Sequence, residues 1–172
     1  MIYWKAIIIS MEIEIPNGIK LRINEEDKTS SVIKSNKAEG DVFIPRYVEY
    51  NGQQYPVISI ENFAFSGTKI KTLSFAEDSE VKYFGGSIFF GCHQIQKFQI
   101  PGNLNKISDA WALSLENFVD IEVSAKNNTF QKGRYLLGKS EKDNESFDLL
   151  YMSCLDEEEA IIPPQVKILK PY

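Results

Sequence analysis

The sequence predicts a β-rich α/β repeat solenoid: short parallel strands joined by short helical or 3-10 turns, headed by an N-terminal β-hairpin cap. Three observations predict it. A phrase that begins at Val57 returns at Val81 and again at Leu104, 24 and then 23 residues on. Each copy closes on a second apolar triplet, so a whole unit recurs and not one motif. The flanks follow other patterns, with an alternating run around an Asn-Gly turn before the repeats and a loss of rhythm after Val123.

The phrase reads Val57-x-x-Ile60-x-x-x-Ala64-Phe65-x-Gly67, then Val81-x-x-Phe84-x-x-x-Ile88-Phe89-x-Gly91, then Leu104-x-x-Ile107-x-x-x-Trp111-Ala112-x-Ser114. The closing triplets are Ile70-x-x-Leu73-x-Phe75, Ile95-x-x-Phe98-x-Ile100 and Phe118-x-x-Ile121-x-Val123. A period of about 20 to 29 residues with such a core is that of a leucine-rich-repeat array, whose units bury their apolar faces only by stacking. The last two members of each triplet alternate with polar residues, the period of a strand with one buried face. Stacked in parallel, these strands lie about 4.8 Å apart. For the return segment, Ser108-Asp109 offers cap oxygens and Gly67 and Gly91 can take the left-handed conformation that ends a helical turn. A short helix or 3-10 turn is therefore expected on the convex side. Phe65 and Phe89 are expected to close the core.

Taken in order, residues 1–40 read as the cap. Met11, Ile13 and Ile15 alternate before Pro16-Asn17-Gly18, and Ile19, Leu21 and Ile23 after it, which is a hairpin with Asn-Gly at the turn. Thr29 to Ile33 reads as a further strand. Residues 41–123 hold about three repeats, interrupted at 48–56 by a second hairpin around Asn51-Gly52. Ile44-Pro45, Ile100-Pro101 and Ile162-Pro163 mark strand ends, because proline cannot donate to a ladder. Residues 124–160 form an irregular β island, read as two strands over Tyr135 to Leu137 and Phe147 to Met152. The repeat restarts at 161–172 and stops before its Ala-Phe pair, as expected of a fragment or of an end covered by a partner.

Composition bounds the function. With 43% hydrophobic and 12% aromatic residues the chain can bury a core, and a formal charge of −5 with no basic cluster argues against nucleic acid. The N-terminal MIYWKAIIIS run is cut by Glu12 and Glu14 before a signal-peptide core is complete, and no run approaches the ~20 apolar residues of a membrane span. Two cysteines without C-x-x-C spacing and one histidine give no zinc pattern. Cys92 reads as a small buried thiol, and the redox state of Cys92 and Cys154 stays open. His93 beside Cys92 lacks a third orienting group and reads as a surface residue. Gly85-Gly86 with Gly91 matches no phosphate-binding loop, and Asp156 to Glu159 lacks the spacing of a calcium loop. No catalytic, cofactor-binding or metal-ligating residues are assigned. Asn127-Asn128-Thr129 and Asn144-Glu145-Ser146 make Asn127 and Asn144 glycosylation acceptors if the chain is exported.

At VISIENFAFSG, FQIPGNLNKISDAWA and AIIPPQVKIL, the sequence resembles the BspA-type leucine-rich repeats, which read IP-x-x-V-x-x-I-x-x-x-A-F-x-G/C. KTSSVIK, and NNTF followed by YLLGKS, resemble flanking segments of surface-antigen sets in protozoan parasites of mucosa. The resemblance implies a cell-surface or secreted protein used in adhesion and in host or matrix contact, without enzymatic activity. Departures from the pattern lie at Ile88-Phe89-Phe90, Trp111-Ala112 and Gly85-Gly86, and in the missing signal or anchor.

The strand positions turned away from the core are the default partner surface of such an array: Thr72, Ser74, Lys97, Gln99, Asp120 and Glu122. Their mixed charge suits a protein or glycan better than a polyanion. The reading favoured is a non-catalytic protein- or glycan-binding module of surface-antigen type. An intracellular, cytoplasmic scaffold or a truncated family member, and an enzyme on a parallel β-helix, stand as alternatives.

Overall fold

Alternation builds the first sheet. In the computed structural model, which describes residues 11–112, 115, 120–141, 145–153 and 161–170, β1 (Met11–Ile15) and β2 (Ile19–Asn24) pair antiparallel, Met11 opposite Ile23. Asn17 and Gly18 turn the hairpin with φ of 65° and 70°. A Cβ on Gly18 would lie 2.6 Å from Lys37 O, so glycine is needed for space as well as conformation.

β3 (Thr29–Val32) pairs antiparallel with β2 and parallel with β6 (Gln53–Ile60), and the ladder continues in parallel through β8 (Tyr83–Phe84) and β10 (Lys106–Ile107). Val32, Ile60, Phe84 and Ile107 fall in one row, all buried. β5 (Tyr47–Tyr50) folds back on the start of β6 around Asn51 and Gly52, with φ of 50° and 74°. A second sheet is parallel throughout: β4 (Glu39–Ile44), β7 (Lys69–Phe75), β9 (Lys97–Ile100) and β11 (Asp120–Val123). The β4 and β7 register shifts between Gly40 and Asp41, where β7 carries the extra residue Lys71 and Gly40 has φ of 65°. Strands β4 and β9 end at Ile44 and Ile100, each followed by proline.

Aromatic rings fill the space between these sheets. Phe89 stacks on Phe65 with centroids 6.5 Å apart and meets Phe98 at 5.3 Å and Trp111 at 6.3 Å. Trp111 sits where the earlier repeats carry Ala64 and Ile88, and Ala112 where they carry Phe65 and Phe89. The exchange of large for small keeps the layer filled, as close packing requires. All of these residues are buried.

The expectation of helical or 3-10 turns on the convex side is overturned, and with it the α/β label. Among the described residues the one 3-10 turn is Pro16–Gly18, inside the first hairpin. Residues 61 to 68 form successive tight turns, with Ala64, Ser66 and Thr68 N–H donating to Glu61, Phe63 and Phe65 O. Phe63, Ser87 and Ala110 have φ of 59°, 53° and 55°, which breaks any helical run at the same place in each repeat. The intervening N–H groups donate to the next repeat: Phe63 to Gly86 O, Phe65 to Ile88 O and Gly67 to Phe90 O, at 2.8 to 3.0 Å. Ser108 does not cap a helix, and its own N–H donates to Phe84 O at 2.9 Å. Gly67 and Gly91 do adopt the left-handed conformation, each with φ 71°. The first triplet of each repeat also forms strand, so each repeat contributes to two ladders where one was expected. Antiparallel hairpins make the first sheet mixed, which departs from a uniform parallel array.

The third sheet comprises β12 (Phe130–Lys132), β13 (Tyr135–Gly138), β14 (Leu149–Ser153) and β15 (Ile168–Leu169), antiparallel except for β14 with β15. It holds one strand, β12, beyond the two expected over residues 124–160.

Candidate functional site

Strand alternation turns Leu73, Phe75, Phe98, Ile100 and Ile121 inward and brings Thr72, Ser74, Lys97, Gln99, Asp120 and Glu122 to the opposite face of the parallel sheet. Register orders them in rows. Asp41, Thr72, Lys97 and Asp120 are successive partners across four strands, Phe43 lies beside Ser74, and Gln99 beside Glu122.

The face is cross-braced by its own side chains. Thr72 Oγ1 donates to Asp41 Oδ1 at 2.9 Å and Ser74 Oγ to Val42 O at 3.2 Å. The β7 and β9 ladder lapses after Leu73 and Phe98, and there Gln99 Oε1 accepts the Phe75 N–H at 3.0 Å. Lys97 Nζ meets Glu122 Oε2 at 2.8 Å, and Lys132 Nζ from β12 reaches Asp120 Oδ1 at 2.7 Å. The Lys132 hydrogen bond holds the Asp120 carboxyl below its ordinary range, and the bond to Glu122 raises Lys97. These are exposed pairs, which fix geometry more than they stabilise.

Sequence reasoning missed Phe43, which stands on this face 52% exposed. Its signal was present: Val42-Phe43-Ile44-Pro45 repeats Phe98-Gln99-Ile100-Pro101, so alternation places Phe43 where Gln99 lies. Beside β11 the face runs into a groove of about 590 Å³ walled by β11 and β12.

Asn127 lines that groove, half-buried at the start of the island. Its Nδ2 donates to Pro101 O at 2.7 Å and Leu104 O at 2.9 Å, and its Oδ1 accepts the Thr129 and Phe130 N–H groups at 2.8 Å each. Both amide hydrogens that a glycan linkage would disturb are engaged inside the fold. Asn144, Phe118, Cys154 and the run Asp156 to Glu159 lie outside the described residues. Cys92 is a buried free thiol whose Sγ donates to Phe65 O at 2.8 Å, and burial pushes its pKa up, away from a reactive thiolate. His93 is exposed.

Parallel ladders repeating on a 24- and 23-residue period, over an aromatic core and with a polar outer face, define a leucine-rich-repeat protein. The BspA type leucine rich repeat region, in 6 copies, matches residues 49–136. The chain belongs to the BspA-type leucine-rich-repeat family. Among curated proteins, none matches its sequence. Of solved structures, a leucine-rich repeat protein from Bacteroides capillosus is similar at 18% identity over 65% of this chain and 97% of its own, TM-score 0.46. A leucine rich cell surface protein from Faecalibacterium prausnitzii is similar at 15% identity over 91% and 65%, TM-score 0.35. The pneumococcal vaccine antigen PcpA is similar at 14% identity over 94% and 61%, TM-score 0.38. No helix among the described residues is long and apolar enough to cross a membrane.

Proposed function

We propose that this chain is a non-catalytic binding module of adhesion type, displayed at the cell surface or secreted, which engages a protein or glycan partner of host-cell or matrix origin. The partner lies on the outer face of the parallel sheet, across Thr72, Ser74, Lys97, Gln99, Asp120 and Glu122. The observation that carries this reading is Phe43: a large ring half open to solvent, set in register beside a braced polar row. A partner covering it gains apolar burial at about 25 cal/mol per Å², while the polar rows supply orientation.

The chemistry of the acids supports binding over catalysis. Asp120 and Glu122 each hold a lysine instead of facing each other as an acid and a base, and Asp120 is shifted down, opposite to a general acid at neutral pH. The test is a screen of the purified chain against immobilised matrix proteins and a glycan array, paired with protease treatment of intact cells. Surface protease is expected to remove the protein. Phe43→Ala, Lys97→Ala and Asp120→Ala are expected to weaken any partner found by about tenfold or more while leaving the thermal midpoint nearly unchanged, whereas Gln99→Ala, which also strands the Phe75 N–H, is expected to weaken binding and lower the midpoint. Undiminished binding by all four variants would remove this face from the function.

A further inference from the structure

The parallel sheet ends differently on its two sides. On the β4 side the hairpin turn meets the edge, where Asn17 Nδ2 donates to the Asp41 carbonyl at 2.8 Å. On the β11 side, the Asp120 and Ser124 N–H groups donate inward to Gln96 O and Ile100 O at 2.8 and 2.9 Å. Alternation therefore turns the backbone groups of Ile121 and Val123 outward. Among the described residues no strand pairs with that edge. The Val123 N–H and the carbonyls of Ile121 and Val123 have no backbone partner among those residues and face the groove between β11 and β12.

We propose that this groove is a strand-addition site, in which an extended peptide of a partner protein lies along β11 as the next strand of the sheet. The proposal rests on the outer face being the binding surface, since Lys97, Asp120 and Glu122 line both. Backbone donors and acceptors at two-residue spacing are matched by another polypeptide strand and not by a glycan. Side chains set the register. Asp120 and Glu122 stand on the edge strand itself, and their lysine partners reach them from β12 and β9 through half-exposed pairs that exchange readily. A peptide with lysine at alternate positions replaces those contacts, and its intervening apolar residues follow the Ile121 and Val123 side of the strand. The groove thus selects an extended segment in which lysine alternates with β-branched apolar residues.

The probe is an acetylated, amidated hexapeptide of sequence TKVKVT, added to the full chain under amide hydrogen exchange. The expected result is saturable binding, slower exchange at the Val123 amide, and affinity lowered by about tenfold or more when alternate peptide nitrogens are methylated. Val123→Pro removes the outward N–H without breaking a bond to β9, and it is expected to weaken the peptide with little change in thermal midpoint. Equal binding of the methylated peptide, or no binding at millimolar concentration, overturns the proposal. So does a Val123 amide already protected in the free monomer, and protection that grows with protein concentration alone identifies a second copy of the chain as occupant instead. If the peptide fails while Lys97→Ala still weakens a partner from the matrix screen, strand addition falls and the face reading stands.

Discussion

Between Val57 and Trp111 the chain leans on a long run of stacked rings, whereas the described residues from Ser124 to Lys170 share one ring pair, Phe130 and Tyr151 at 5.4 Å, and are tied in at a few polar points. In the repeats, Phe65, Phe89, Phe98 and Trp111 touch one after another, and the turns after Ile60 and Phe84 hand alternate or successive N–H groups to the next repeat. In the island, Asn127 joins the strands to the third repeat through four hydrogen bonds. Asp148 ties down Ser140 by accepting its N–H at 2.8 Å and its hydroxyl at 2.6 Å, and Tyr135 OH donates to Ile161 O at 2.9 Å. The first arrangement distributes stability over many contacts that share a layer. The second adds a few polar ties to a smaller apolar layer of Phe130, Leu136, Leu149 and Tyr151, so the loss of one tie should be felt locally.

The comparison breaks most visibly at Phe89. Phe89→Ala opens a cavity in the ring layer and is expected to cost about 3–5 kcal/mol, a large part of the ~5–15 kcal/mol of an ordinary domain. Thermal unfolding should show the whole array loosened. The adjacent Phe90, 45% exposed, is the control, and Phe90→Ala should shift stability by less than about 0.5 kcal/mol. Next in size is Asn127→Ala, which strands two carbonyls and two N–H groups and should cost about 1–3 kcal/mol. Amide exchange should accelerate in β12 to β14 while Phe65 and Ile88 stay protected, and uniform acceleration would mean that the island is part of the same cooperative unit.

The smallest effect is expected from acid. The hydrogen bonds from Ser140, side chain first and then backbone, hold the Asp148 carboxyl below its ordinary value. A depressed folded value means the stabilisation is present above the unfolded aspartate range and is lost as pH falls through the lower, folded value. Below about pH 4 the island should therefore begin to exchange ahead of the repeats. Asp148→Asn should weaken the island at neutral pH and flatten that step. An acid response identical in the variant would assign the titration to another group.

Much of the repeat register was legible because burial and period coincide: Leu73, Phe98 and Ile121 point inward as alternation requires, and the six outward residues share one face. The convex turns were misread for a physical reason. A cap residue and a left-handed glycine serve a helix end and a stacked turn alike. What decides between them is whether the next repeat offers its carbonyls, and that is a contact between units, invisible within one. Phe43 was missed because β4 precedes the first complete phrase. β12 was missed because Phe130-Gln131-Lys132 has one apolar residue in three and turns at Gly133-Arg134 without an Asn-Gly signal. At Asn127 the letters Asn-x-Thr fit both a glycan acceptor and a turn whose asparagine oxygen binds N–H groups ahead of it, and only the packing against Pro101 and Leu104 separates the two.

Both irregular excursions leave the array at one corner. The hairpin of β5 and β6 departs just after β4, following Pro45, and the island departs just after β11, while turns 61 to 68 and 85 to 91 are locked rung to rung by hydrogen bonds. Length can therefore vary at the first corner and not at the second. For an engineer, the corner after the outer strand is a grafting port: a foreign loop set between Asn51 and Gly52, at the exposed tip of the hairpin, would be carried by the scaffold, whereas one residue added between Phe63 and Gly67 would throw every later rung out of step.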